Sequence, residues 1–330
     1  MSTITEINPE RKAWLEARRS GIGGSDAAAI LGLDPFRSPM SVWVSKVRPD
    51  LLEPEDHQWL SIGTKMEPVI DALYQEEKRI VTVKPEEIMR HPKYPEIAGN
   101  PDRLSVDRVV ELKNETVHVD RYGDFGTDQV PDHVLIQVAI YMAITQKEVA
   151  DIAVLHAGSR FGIYTVRRDA ELERDIIERL RQWWSDYVVT KREPPIDASR
   201  DWAAYIEKKF PQNRGEIVKV PRDSEIDQDM RSISVMRTAM AESQRHLDLI
   251  ENRVKKFIGD ADGIEGDFGR ITWRRSKDTV EDVTDWEQFA NCLYEEFSIP
   301  LARFVAIRDG FTKHGVVTRQ GSRRFVAKFK

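Results

Sequence analysis

The sequence predicts an α/β (α+β) fold: a mixed central sheet flanked by helices, followed by a mainly helical extension with a small β portion. Three observations predict it. Through residue 190 the patterning runs helix, strands, helix, strands, helix, the order that lays helices on the faces of a sheet. The segment 131–145, PDHVLIQVAIYMAIT, is apolar almost all round, as befits a helix buried against such a sheet. The stretch KREPPIDAS, 191–199, then breaks the pattern, and 224–258 reads as one long helix. Domains are accordingly expected at 1–195 and 196–330. A chain of 330 residues, 40% hydrophobic, is long enough to enclose a sizeable core.

Each element has its own signal. Residues 9–19 place Trp14, Leu15 and Arg18 near one helical face. In SGIGGSDAAAILGLDPF, glycines 21, 23 and 24 make a turn, Ser25 is the expected N-cap of a helix over Asp26 to Leu31, and Gly32 ends it. PMSVWVSKV, 39–47, reads as a helix. So does IGTKMEPVIDALYQEEK, 62–78, with Met66, Val69, Ile70 and Leu73 on its apolar side. Strands are expected at 80–84, 87–91, 96–106 and 108–117. The buried helix follows, with Pro131 in its first turn. Strands at 150–156 and 161–167 and a helix over 170–189 close the first domain. In the extension, Ile226, Met230, Ile233, Met240, Leu247, Ile250, Val254 and Phe257 keep helical steps along 224–258. A turn and hairpin at 259–269, a strand at 270–275, a helix at 283–297 and strands in the tail complete the expectation.

Composition excludes several function classes. No run of about 18 apolar residues occurs, and MSTITEINPERKAW lacks a signal-peptide core, so a cytoplasmic protein without a membrane partner is expected. One cysteine, Cys292, supports no cysteine-based zinc or iron–sulfur site, and the seven histidines lack HxxxH or HExxH spacing. Any metal is expected to be held by oxygen. The net charge of -6 argues against a protein coated in basic charge, but nucleic acid needs only a local stripe. The tail 299–330 offers one, with eight Lys and Arg against the single acid Asp309, the alternative being a solvated edge strand protected by charge.

The stretch GNPDRLSVDRVVELKN, Gly99 to Asn114, reads as two short strands around a turn at Asp107 and Arg108. Period-two alternation puts Glu111 and Lys113 on one face, with Val110 and Leu112 on the other. A hairpin could bring Asp102 beside Glu111. Such a pair of carboxylates repels unless a cation joins it, and Mg²⁺ favours this kind of oxygen site. A neighbouring lysine can then orient water or stabilise charge on a phosphate. Alternatively, the hairpin is exposed and Glu111–Lys113 is a surface ion pair worth roughly 0–1 kcal/mol. Elsewhere, Glu67 stands at the edge of the apolar stripe of 62–78. Gln137 and Tyr141 lie one turn apart on the buried helix. Arg18 and Ser25 bracket the glycine-rich turn, a combination suited to a phosphate.

Taken in order, these residues resemble the YqaJ-type viral recombinase family, relatives of phage lambda exonuclease. The matching pattern runs Trp14-Leu15-Glu16-Ala17-Arg18-Arg19-Ser20-Gly21-Ile22-Gly23-Gly24-Ser25-Asp26, Leu31-Gly32, Ser38-Pro39 with Trp43 and Lys46, and Gly63 with Glu67-Pro68. It continues with Pro101-Asp102, Glu111-Leu112-Lys113, and Pro131 ahead of Gln137 and Tyr141-Met142, over roughly residues 10–190. The resemblance implies a PD-(D/E)XK, restriction-endonuclease-like core. In it Asp102, Glu111 and the Leu112 carbonyl hold Mg²⁺ or Mn²⁺, Glu67 supports that site, Lys113 handles the attacking water, and Gln137 lies nearby. Arg18, Ser25, Asn100 and Tyr141 are implied as the 5′-phosphate and DNA contacts. The implied activity is 5′→3′ digestion of one strand of linear duplex DNA bearing a 5′-phosphate, in phage or prophage recombination within a bacterial cell. The 3′ strand would go to a single-strand annealing partner, and the assembly would be a ring-shaped trimer. An endonuclease of the same fold, or a non-catalytic DNA-binding scaffold, are the rival readings. The loop 114–130 departs from the family's usual sequence, as does the absence of a second glutamine after Gln137.

Overall fold

The computed structural model describes residues 16–52, 58–117, 119–212, 215–275, 279–282, 316–319 and 323–329. They form two units, Met1–Gly215 and Glu216–Lys330. In the first, three helices, α1 (Gly24–Ile30), α2 (Pro39–Val47) and α3 (Gln58–Lys78), precede the strands β1 (Met89–Arg90), β2 (Ala98–Gly99), β3 (Arg103–Leu104) and β4 (Arg108–Glu115). Helix α4 (Asp132–Thr145) crosses over to β5 (Val149–His156), β6 (Arg160–Arg167) follows, and α5 (Ala170–Trp183) continues into a π-helical turn, Trp184–Val189. Helix α6 (Arg200–Lys209) ends the unit.

The central sheet has the order β3-β4-β5-β6. The β4–β5 pair is parallel and its two neighbours antiparallel, so the expected mixed α/β class is observed. Alternation along β4 builds both cores. Val109 faces the larger one, which takes in α4, α1, α2, α5 and α6, whereas Val110 and Leu112 pack with Ile70 and Tyr74 of α3. Burial of each such Val, Leu or Ile side chain contributes about 1.5–3 kcal/mol. Helix α4 buries nine of its fourteen residues, which explains its nearly continuous apolar sequence.

Several expectations shift. The helix 9–19 is described only from residue 16 onward, and the helix 283–297 lies outside the described residues. The strand expected at 96–106 divides: β2 pairs with β1, β3 pairs with β4, and Pro101, which lacks an N–H for a ladder, stands between them. Arg108 opens β4 rather than lying in the turn, because its guanidinium reaches the buried Asp151 at 3.0 Å. The domain boundary falls after Gly215, not near 196. The reason is α6: Asp201 accepts from the Ser38 N–H (3.0 Å) and hydroxyl (2.7 Å) at the start of α2, and Trp202 and Tyr205 are buried in the larger core.

The second unit contains the long helix α7 (Glu225–Ile258), N-capped by Ser224 through the Asp227 N–H. A three-stranded sheet follows, β7 (Gly263–Gly266), β8 (Gly269–Arg275) and β11 (Arg323–Phe329), in the order β11-β8-β7. A separate pair joins β9 (Thr279–Asp282) to β10 (Val316–Arg319). The expected tail strands are thus present.

Candidate active site

The hairpin β3–β4 pairs Arg103 with Val110 and Leu104 with Val109. Continuing that register puts Asp102 opposite Glu111. Asp102 Oδ2 accepts from the Leu112 N–H at 2.9 Å, which fixes the carboxylate against β4. Glu111 is 1% exposed, so the exposed-hairpin alternative does not hold. Its Oε1 accepts from Lys113 Nζ (2.7 Å) and from Gln137 Nε2 (2.7 Å), while Gln137 Oε1 accepts from Lys113 at 3.0 Å. Helix α4, crossing the Glu111 face of the sheet, supplies that glutamine. One amide side chain therefore holds both members of the ion pair.

The electrostatics reflect this crowding. Burial, reinforced by the negative charge of Glu111, pushes the Asp102 carboxyl up to about 8. Burial alone would pull the Lys113 ammonium down, but the Glu111 and Asp102 carboxylates outweigh it and hold it above the usual lysine range. Glu111 Oε2 is buried with no hydrogen-bond partner. A buried orphan oxygen costs about 1–3 kcal/mol or more when charged. Among the described residues no three His, Cys, Asp or Glu side chains cluster to bind a metal. The oxygen donors brought together are the Asp102 and Glu111 carboxylates, a pair that suits a hard cation that keeps several waters, as Mg²⁺ does.

Glu67 stands on the flank. Its carboxylate pairs with Lys84 (3.1 Å) and Arg103 (3.7 Å), and Arg103 Nη1 donates to the Asp102 carbonyl at 2.6 Å. Its link to the acids thus runs through Arg103. Asn100 uses its side-chain oxygen to accept from the Met89 N–H at 3.2 Å. Tyr141 is buried, its hydroxyl accepting from Gln137 Nε2 at 3.4 Å.

The Arg18–Ser25 turn lies on the same side as α4. Arg18 Nη2 donates to Ser25 Oγ at 3.1 Å. Ser25 does not cap the helix, however: the N-cap is Gly23, whose N–H donates to Asp26 Oδ2 at 3.3 Å. Gly24 lets α1 sit directly on α4, since a Cβ there would lie 2.8 Å from the Gln137 carbonyl and 3.0 Å from the Tyr141 ring. Sequence reasoning assigned no role to Asp26 or Lys46, yet they anchor this turn. Lys46 Nζ bonds both Asp26 (2.7 Å) and the Arg18 carbonyl (2.9 Å), and Arg37 adds a second cation at 3.1 Å. Burial would raise the Asp26 carboxyl, but Lys46, Arg37 and Arg18 hold it well below its usual range. The signal was a lone acid in a small-residue run, which spacing alone does not connect to a lysine twenty residues on.

A carboxylate beside a Glu-Leu-Lys strand, on a mixed sheet with helices on its faces, is the arrangement that the resemblance read from the sequence implies. Residues 13–148 match the model of the YqaJ-like viral recombinase domain, so the resemblance read from the sequence is shown over that region. The chain is 26% identical over 288 residues to the uncharacterized protein YqaJ of Bacillus subtilis, covering 83% of this chain and 89% of that one. Among solved structures it is similar to an alkaline exonuclease from Laribacter hongkongensis, at 15% identity and TM-score 0.45, covering 60% of this chain and 97% of that one. A phage-related exonuclease from Haemophilus somnus is similar at 14% identity and TM-score 0.40, covering 52% and 96%. No helix among the described residues is long and apolar enough to cross a membrane.

Proposed function

We infer that this chain is a divalent-metal-dependent deoxyribonuclease that digests one strand of linear duplex DNA from a 5′-phosphorylated end. The remaining 3′ strand would serve an annealing partner in recombination. The match to a viral recombinase domain supports a nuclease role in recombination. The observation that carries the reading is the sheet-bound cluster of Asp102, Glu111, Lys113 and Gln137, with Glu111 almost fully buried and one of its oxygens orphaned. Lys113 and Gln137 satisfy one Glu111 oxygen, and a bound cation would satisfy the one that remains.

Asp102, Glu111 and the Leu112 carbonyl would hold Mg²⁺ or Mn²⁺. When bound, such an ion polarises the scissile phosphate and makes water a better nucleophile. Lys113 stays an ammonium beside its two acids, so it acts as a donor rather than as a base. It orients the attacking water and stabilises charge growing on the phosphate oxygens. Gln137 keeps Lys113 and Glu111 in register, and Tyr141 supports Gln137 from beneath. Arg18 and Ser25 take the 5′-phosphate through charge-assisted hydrogen bonds, with the amide NH₂ of Asn100 as a further donor. Glu67 steadies Asp102 through Arg103. A ring-shaped trimer belongs to the same reading, and a monomeric mass by light scattering at working concentration would remove it.

The deciding experiment uses a linear duplex labelled at either end, with and without a 5′-phosphate, in Mg²⁺ or EDTA. The expected result is metal-dependent loss of the 5′ strand, faster on phosphorylated ends, with covalently closed circles spared. Cutting of the circle would favour an endonuclease of the same fold. Digestion by Glu111→Gln as fast as by the parent chain would remove the site.

A further inference from the structure

Helix α7 is 34 residues long, and much of one side of it is both apolar and open to solvent. Every seventh residue is apolar along its whole length: Ile226, Ile233, Met240, Leu247 and Val254. A second row lies three residues on: Asp229, Met236, Ser243, Ile250 and Phe257. Side by side, the two rows make the stripe that a left-handed coiled coil buries. From Ile233 to Phe257 the large apolar residues of the stripe are not covered: Ile233, Met236, Met240, Leu247, Ile250 and Phe257 are between 42% and 80% exposed, Phe257 the most. The opposite side is polar, with Arg231, Thr238, Arg245 and Asn252 at the same interval of seven. A stripe sustained over more than three heptads is the mark of a helix that packs on another helix, and a continuous exposed apolar strip is the mark of a surface that binds.

The charges beside the stripe say which helix fits it. The row that flanks it runs Met230, Arg237, Gln244, Glu251, Ile258. Reversed about Gln244, that row is complementary to itself: Arg237 falls opposite Glu251, Gln244 opposite Gln244, and Met230 opposite Ile258. Among the described residues Arg237 has no acidic partner, and Glu251 has only Lys255 of its own helix, at 2.9 Å. The same reversal sets Ile233 on Phe257, Met240 on Ile250 and Val254 on Met236 of the second helix, with Leu247 on Ser243. Asp229, the one charge in the stripe, then falls beyond the end of the second helix. A parallel pair would instead set Asp229 on Asp229 and Ser243 on Ser243, and would leave Arg237 beside Ser232. Like charges facing each other disfavour that orientation.

We propose that α7 is a self-association element: the α7 helices of two copies of this chain pair antiparallel, Ile233 of each against Phe257 of the other and Arg237 of each against Glu251 of the other. The seam runs from 233 to 257, about 36 Å of helix. The same patch serves both copies, so the contact closes on itself and builds no open fibre. It does not depend on the deoxyribonuclease reading, and it acts on top of any assembly formed by the rest of the chain. A monomer becomes a dimer, and a ring-shaped trimer becomes at least a hexamer.

The test reads the mass of the full chain by light scattering over a range of concentrations. Met240→Glu/Leu247→Glu, at two exposed positions, should at least halve the mass, with far-UV circular dichroism still that of a folded chain. Two further variants test the orientation without touching the apolar stripe. Arg237→Glu alone, and Glu251→Arg alone, should each raise the dissociation constant of the pair roughly tenfold or more, because each then sets like charges opposite one another. Mixed in equal amounts, the two variants should pair with each other about as tightly as the parent pairs with itself. One chain then carries two acids along the flanking row and the other two cations, and only the antiparallel register brings them together. A mixture that pairs no better than either variant alone would overturn the register. A parent of the same mass as Met240→Glu/Leu247→Glu would overturn the pairing altogether and give the stripe to another face of this chain or to a different protein.

Discussion

At the scale of single residues, Gln137 has the most leverage, because it bonds both Glu111 and Lys113. Gln137→Leu keeps the volume but deletes both bonds, leaving the ion pair to choose its own geometry. Turnover is expected to fall on the order of tenfold to a hundredfold, with DNA binding by filter retention nearly unchanged. Loss of binding in step with turnover would argue that Gln137 only holds the fold. The acids make a second prediction. With Asp102 pushed up to about 8, a proton competes with the cation below that pH. Mg²⁺ affinity measured by calorimetry should therefore rise from pH 6.5 to 8.5 with proton release, and Asp102→Asn should abolish both the rise and most of the affinity. Which side chains could meet was legible in the sequence, since β4 alternation put Glu111 and Lys113 on one face. What was not legible is that this face is buried: the apolar partner, α4, arrives from twenty residues away and brings Gln137 with it.

At the scale of elements, the turn and α1 depend on two contacts that a strand-and-helix pattern does not encode. The first is the closeness of α1 to α4. Gly24→Ala would place a Cβ 2.8 Å from the Gln137 carbonyl and 2.9 Å from its Cγ. Overpacking of this kind costs about 1–3 kcal/mol, and it should also displace Gln137 and slow digestion, whereas Gly32→Ala, at the other end of α1, meets no neighbouring atom though its φ of +73° adds strain. Comparing the two variants by urea melts and by digestion separates site displacement from mere helix strain. The second contact is the buried Asp26–Lys46 pair. Asp26→Asn strands a buried ammonium and is expected to cost about 3–5 kcal/mol. The sign with pH follows from the lowered Asp26 pKa. Its stabilisation is complete above the unfolded aspartate value of about 4 and is lost as pH falls further, so the gap between parent and variant should close in acid melts. Most helices and strands could be read from period and caps. The exceptions were local: Ser25 lies two residues after Gly23, which already serves as N-cap, Pro101 interrupts a run that otherwise reads as one strand, and the strand expected at 80–84 is only an isolated bridge between Val83 and Leu104.

At the scale of the whole molecule, the boundary between units is the expectation that changed most, and it can be tested by cutting. KREPPIDAS looked like a linker because prolines and charges mark loops, but a loop is a domain boundary only if nothing beyond it packs back. Here α6 does. Asp201 accepts two hydrogen bonds from Ser38 at the N-cap of α2, Trp202 donates to the Pro195 carbonyl at 3.0 Å, and the Tyr205 ring packs edge-on against Trp43 at 5.7 Å. Trp43 in turn donates to the Tyr187 carbonyl at 3.0 Å, so α2, the π-helical turn and α6 lock one another. A chain ending at residue 195 would leave Ser38 uncapped and expose the apolar surface that Trp202 and Tyr205 cover, a loss of several kcal/mol when two buried aromatics are removed. A chain ending at residue 215 keeps every one of those contacts, and all the candidate site residues from Arg18 to Tyr141 stand within it. The expectation is a cooperative melt and Mg²⁺-dependent nicking for 1–215, and a much lower midpoint or aggregation for 1–195. Equal stability of the two fragments would show that α6 is only draped on the first unit. A folded but inactive 1–215 would show that residues 216–330, with the long α7 and the basic tail, contribute to catalysis rather than extending the protein beyond it.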